Sequence, residues 1–147
     1  MHAFMQIRRR SLWVSIATAA LLLSGCAGME MGMDGAKVML GGDQEVPPVS
    51  TSGSGSGTIK VAADGSVSGS VATTRVPGLA AHIHIGAMGK NGPVIIPLQK
   101  TGDGGWAVPA GAKLNDAQMT AYKAGGLYVN VHTAANKGGE VRGQIRP

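Results

Sequence analysis

The chain has 147 residues, with 24 glycines, one cysteine and an aromatic content of 3%. Its 13 lysines and arginines against 8 acidic residues give a formal charge of +5, but Arg8, Arg9 and Arg10 crowd the start. The remaining basic side chains are scattered and nearly balanced by acids, which removes a charge-based case for nucleic acid, and a lone cysteine excludes an internal disulfide framework.

Residues 1–25 read as an export signal. The three arginines form a basic n-region and residues 12–23 an apolar stretch. That stretch is shorter than the about 20 apolar residues a helix needs to cross ~30 Å of hydrocarbon. Leu23-Ser24-Gly25-Cys26 closes it and resembles the bacterial lipobox. The resemblance implies lipidation of Cys26, export, and a membrane anchor in the cell envelope, on the periplasmic or outer-membrane face. Residues 26–35 read as a tether in which Met29, Met31 and Met33 alternate. Thioethers are soft donors that suit Cu(I), and the same run also reads as a plain flexible linker. Residues 36–147 remain for one domain, with a core of Val, Ile, Leu and Ala, since only Trp106, Tyr122 and Tyr128 are aromatic there.

Lys37-Val38-Met39-Leu40 predicts a first strand, and the two prolines of Glu45-Val46-Pro47-Pro48-Val49 predict an edge or a turn. Residues 50–57, rich in Ser and Gly, read as a loop. A hairpin follows, in which 58–62 alternates, Asp64-Gly65 predicts a type I′ turn, and 67–71 returns. Residues 80–85 and 93–98 predict strands around a glycine-rich loop, 86–92, and 105–109 a short strand carrying Trp106. One helix is predicted after Asn115 as N-cap, with Gln118 completing a capping box, Leu114 placed to staple against Met119, and Gly125-Gly126 ending it. Two last strands, 127–133 and 140–145, are joined by 134–139. The pattern predicts an all-β domain: an antiparallel, Greek-key-like sandwich or barrel of about seven to eight short strands with one short helix.

Beyond the leader the histidines are His82, His84 and His132. Alternate strand residues share a face, so His82 and His84 point the same way, roughly 6–7 Å apart at Cα. The same parity turns Leu127, Val129 and Val131 inward and Tyr128, Asn130 and His132 outward. On the last strand Glu140, Arg142 and Gln144 go outward. If these strands are neighbours, three imidazoles and Arg142 gather on the outer wall near solvent. Neutral imidazoles suit Cu, Zn, Ni or Fe, and three leave a coordination position free. Histidines on a solvated strand are also common as plain polar surface.

At these residues the chain resembles the chordin-type domain, CHRD. The matching segments are Glu45-Val46-Pro47-Pro48, Ala81-His82-Ile83-His84-Ile85-Gly86 with Gly89 and Asn91-Gly92-Pro93-Val94, then Leu127-Tyr128-Val129-Asn130-Val131-His132-Thr133, and Gly138-Gly139-Glu140-Val141-Arg142-Gly143-Gln144-Ile145. The resemblance spans roughly 36–146 and implies an all-β module of exported proteins, without defining a biochemical role. His-x-His on one strand, a late Val-His, a glycine pair and an arginine are also similar to copper superoxide dismutases. That similarity implies copper as cofactor, with His82, His84 and His132 as ligands and Arg142 as the catalytic residue guiding a small anion. The bridging histidine, the zinc ligands and the disulfide of that family have no counterpart here, and Arg142 stands three residues past Gly139. A copper-only site, with Met88 or water as a further ligand, is the form that fits.

Two functions follow. One is an exported, lipid-anchored copper-binding protein, with or without dismutase-like redox activity. The other is a non-catalytic cell-surface interaction module whose histidines are structural; its protein partner is unnamed by the sequence. No nucleophile elbow or P-loop lysine is present, and Glu45, Asp64 and Glu140 show no pairing suited to acid–base hydrolysis.

Overall fold

A computed structural model of the protein describes residues 35–147. The expected signal segment, Cys26, and Met29, Met31 and Met33 of the expected tether lie outside the described residues.

Nine strands form one sheet among the described residues: β1 (Ala36–Gly41), β2 (Ser54–Val61), β3 (Val67–Thr74), β4 (Ala80–Ile85), β5 (Val94–Pro97), β6 (Gln99–Gly102), β7 (Gly105–Ala107), β8 (Leu127–His132) and β9 (Val141–Ile145). A 3₁₀ turn, Gly42–Gln44, follows β1, and the helix α1 spans Asp116–Lys123. The spatial order is β5-β4-β8-β9-β1-β2-β3-β7-β6, and the strand pairs are antiparallel. The two edge strands, β5 and β6, are consecutive in the chain. Leu98 lies between them, buried, with its N–H donating to Ala81 O at 2.9 Å. The sheet thus curls into a nearly closed barrel, which leaves little free edge.

Strand alternation sets the core. Val38, Leu40, Ile59, Val71, Ile83, Trp106, Val129, Val131, Val141 and Ile145 pack inside. Asn115 caps α1 as the sequence predicts: its side chain accepts from Gln118 N–H at 2.9 Å, and the Gln118 side chain accepts from Asn115 N–H at 2.9 Å. Leu114 is buried and Met119 packs against the same core.

Three expectations are corrected. The sheet has nine strands, because β6, exposed along its length, carries no alternation to read. Residues 54–57 are strand, not loop, since they pair in register with β1, Leu40 opposite Gly55 and Val38 opposite Gly57. The β2–β3 turn is not type I′, which needs two residues at positive φ. Only Gly65 adopts one, at 86°, while Asp64 Oδ1 accepts from Ser66 N–H at 3.0 Å and Gly65 N–H reaches Ala62 O at 2.9 Å. The aspartate bonding two residues ahead favours this turn instead.

Candidate metal centre

Strand register brings the three histidines together. Across β4 and β8, Ala80 stands opposite His132, His82 opposite Asn130 and His84 opposite Tyr128. Across β8 and β9, Asn130 stands opposite Arg142 and Tyr128 opposite Gln144. Directly opposed residues share a face, and diagonal neighbours remain within reach of long side chains. His82 therefore meets His132 diagonally, with ring centroids 4.9 Å apart, and meets His84 along its own strand at 5.6 Å. One ring nitrogen from each histidine lies within 4.8 Å of the other two.

The hydrogen bonds fix which nitrogens are free. His84 Nδ1 lies 2.9 Å from Gly92 O, and His132 Nδ1 lies 2.9 Å from Lys137 O. A carbonyl only accepts, so in both neutral rings Nδ1 carries the proton and Nε2 keeps its lone pair. His132 Nε2 faces His82 Nδ1 at 3.0 Å, so His82 Nδ1 donates. His84 Nε2 is buried and has no partner among the described residues. With the His82 proton moved to its other nitrogen, His82 Nδ1, His84 Nε2 and His132 Nε2 each carry a free lone pair. Two nitrogens on one ion at about 2.0–2.1 Å sit roughly 3.4 Å apart, so His82 and His132 already have near-ligand spacing.

Burial is the main reason that the pKa of His82 is depressed, aided by the neighbouring rings of His132 and His84. The same cause depresses His84, against the opposing pull of the Gly92 carbonyl. Both rings therefore favour the neutral form that a metal requires.

The loops holding those carbonyls are themselves pinned. Glu140 accepts from Thr133 Oγ1 at 2.7 Å and Thr51 Oγ1 at 2.8 Å, which anchors the turn that presents Lys137 O. On the other side, Gly92 must be glycine, since a Cβ there would strike the Ile85 carbonyl. Tyr128 OH accepts from Gly92 N–H at 3.2 Å, and the Tyr128 ring stacks on His84 at 4.8 Å, 8° from parallel.

The polar face of β8 and β9 is not solvated as parity alone suggests. Tyr128, Asn130, Arg142 and Gln144 are buried, with Arg142 only 1% exposed. Loop 86–92 packs on Tyr128, Arg142 and Gln144, while Asn130 donates to Gly138 O at 3.2 Å. Arg142 Nη2 donates to Lys90 O at 2.9 Å and Ala87 O at 3.3 Å, Nη1 donates to Asn91 Oδ1 at 3.3 Å, and the guanidinium lies 3.5 Å from the Tyr128 ring centre. Asn130 separates Arg142 from His82 in the cross-strand row. The expected solvent-facing anion guide is thus a buried clamp on a loop. Met88 is 61% exposed, and its sulfur lies 3.9 Å from Arg146 Nη2, on the wall of a cavity that none of the three histidines lines.

Sequence reasoning missed Glu45 and Arg146. Glu45 is 4% exposed, with Oε1 unpartnered among the described residues, as is Oδ1 of Asn130 on the covered face. Burial pushes the Glu45 carboxyl up to about 7, against the lowering influence of Arg142. Nothing in Glu45-Val46-Pro47-Pro48 signals burial of a carboxyl; the fold of the segment over β9 decides it.

A family model described as the CHRD domain matches residues 36–145. No curated protein and no solved structure gives a match. With most of its length matched, the chain belongs to the CHRD domain family.

Proposed function

We propose that this CHRD-domain protein holds one copper ion outside the cytoplasm through His82, His84 and His132, anchored to an envelope membrane by a lipid on Cys26. The observation that carries the reading is the tautomer arrangement. Two backbone carbonyls hold the Nδ1 protons of His84 and His132, and the buried Nε2 of His84 is left with no partner among the described residues. Such outer hydrogen bonds are the usual support of metal-ligating histidines. Among divalent first-row ions, an all-nitrogen site binds Cu(II) most tightly. Three protein ligands leave a position for water or a small molecule.

Holding or delivering copper is the reading with most support. Dismutase-like turnover at the open position is a finer reading, and its anion guide would have to be a residue other than Arg142, whose donors serve the 86–92 loop. The test is metal analysis of the purified protein after loading with Cu(II) and desalting. About one copper per chain is expected, lost in the His82→Ala/His84→Ala/His132→Ala variant, and the loaded protein is then assayed with superoxide. A folded wild-type protein that retains no copper leaves the non-catalytic interaction module with structural histidines. For the anchor, Cys26→Ser moves the protein from the membrane to the soluble fraction of the envelope; unchanged membrane association overturns the lipid reading.

A further inference from the structure

A second site lies apart from the histidines. A cavity of about 470 Å³ opens between the segment after β1 and the end of β9, within the size range of small-ligand pockets. Its charged lining is Arg142, Arg146, Glu45 and Asp43, and Val46, Pro48 and Met88 supply apolar surface.

Among the described residues no arginine donor in this wall is hydrogen-bonded to a carboxylate. Arg142 is a buried cation whose hydrogen-bond and ring partners among the described residues are all neutral: the carbonyls of Ala87 and Lys90, the side-chain oxygens of Asn91 and Gln144, and the face of Tyr128. Taking a guanidinium out of water costs several kcal/mol, and dipoles return only part of that. Arg146 is exposed, and its side-chain partner among the described residues is the Met88 thioether at 3.9 Å, a weak acceptor. Glu45 is the nearby carboxyl in the wall; Arg142 favours its charged form, but burial outweighs that pull and raises its pKa to about 7, so its negative charge answers Arg142 only in part. Asp43, exposed in the 3₁₀ turn, is the remaining acid of the lining.

We propose that this cavity binds a small aliphatic carboxylate, whose oxygens meet the Arg146 guanidinium with the charge of Arg142 behind it and whose tail lies on Val46, Pro48 and Met88. A carboxylate is acceptor-only and matches the arginine fork, so it completes the counter-charge that Glu45 supplies only in part. The three apolar side chains favour a tail of a few carbons over a bare inorganic anion. None of the three histidines lines this cavity, so the site does not depend on copper in the histidine cluster.

The test is an NMR titration of the metal-free protein with butyrate, with butyramide as the neutral isostere and sodium chloride at equal ionic strength. Butyrate should produce saturable shifts at the Arg146 Nε–H and at the backbone amides of Val46 and Gly89, with no saturable response to butyramide or chloride. Arg146→Gln, at an exposed position near the C-terminus, should weaken butyrate about tenfold, with β8 and β9 amide signals unchanged to show an intact fold. Asp43→Asn removes the opposing charge and should tighten binding about threefold. Shifts that do not saturate, or an equal response to butyramide, overturn the site. A saturable response to chloride equal to that for butyrate overturns the carboxylate class, and weaker binding by Asp43→Asn overturns the charge argument.

Discussion

Glu45→Gln isolates the energetic consequence of one buried carboxyl. Burial is the dominant influence on Glu45 and raises its pKa from 4.5 to about 7 in the folded protein, despite the opposing charge of Arg142. The folded state therefore holds this proton more tightly than the unfolded chain. The resulting stability is fully present below pH 4.5 and is lost as pH rises through about 7. At ~1.4 kcal/mol per pKa unit the upper bound is about 3 kcal/mol. Water in the adjoining cavity screens part of that, leaving roughly 1–2 kcal/mol. The substituted glutamine side chain has nearly the same shape as the glutamic acid and no proton to lose. Urea unfolding of wild type and variant at pH 5 and pH 8, both metal-free, gives the comparison, and the difference between the proteins cancels the histidines and other titrating groups. The wild type should lose about 1–2 kcal/mol relative to Glu45→Gln between those pH values. A difference that does not change with pH, or one that favours the wild type at pH 8, refutes the burial argument.

Other perturbations test separate parts of the molecule. Because burial depresses the pKa of His82 and His84 below the usual 6.5, protons compete with copper only at lower pH. Copper retained after desalting should persist through pH 6.5 and fall below it; half-release above 6.5 contradicts the buried-ligand geometry. Arg142→Met leaves the carbonyls of Ala87 and Lys90 without their donor but also removes a costly buried charge, and should cost about 1–2 kcal/mol net in urea unfolding. A loss under ~0.5 kcal/mol would show that the loop does not need the clamp. Asn115→Ala removes the helix cap while Gln118 still accepts from the residue-115 N–H, so a loss of about 1 kcal/mol is expected, read from the same unfolding curves.

The parts of this fold legible in the sequence are those governed by local physics. Val38 and Leu40, Ile83, and Val129 and Val131 recur at every second position, with the residues between them facing away from the core, and each of these strands forms where alternation places it. Asn115 and Gln118 satisfy each other within one turn, so the helix start needs no tertiary information. Residues 54–57 were illegible because their glycines are chosen by crowding. A Cβ on Gly57 would strike Ser70 O, so a Ser/Gly composition that normally marks a loop here permits close strand approach. Parity likewise identified which residues share the histidine face, and register then brought His132 to His82. What parity cannot report is the cover placed over that face by distant segments. Loop 86–92 and the segment after β1 bury Arg142, Tyr128 and Glu45, and that cover divides one continuous polar surface into a histidine cluster and an arginine-lined cavity. The chemistry assigned to Arg142 therefore had to change with the cover. On an open wall it would draw anions toward the histidines, whereas beneath the loop its charge acts on the cavity and disfavours protonation of His84.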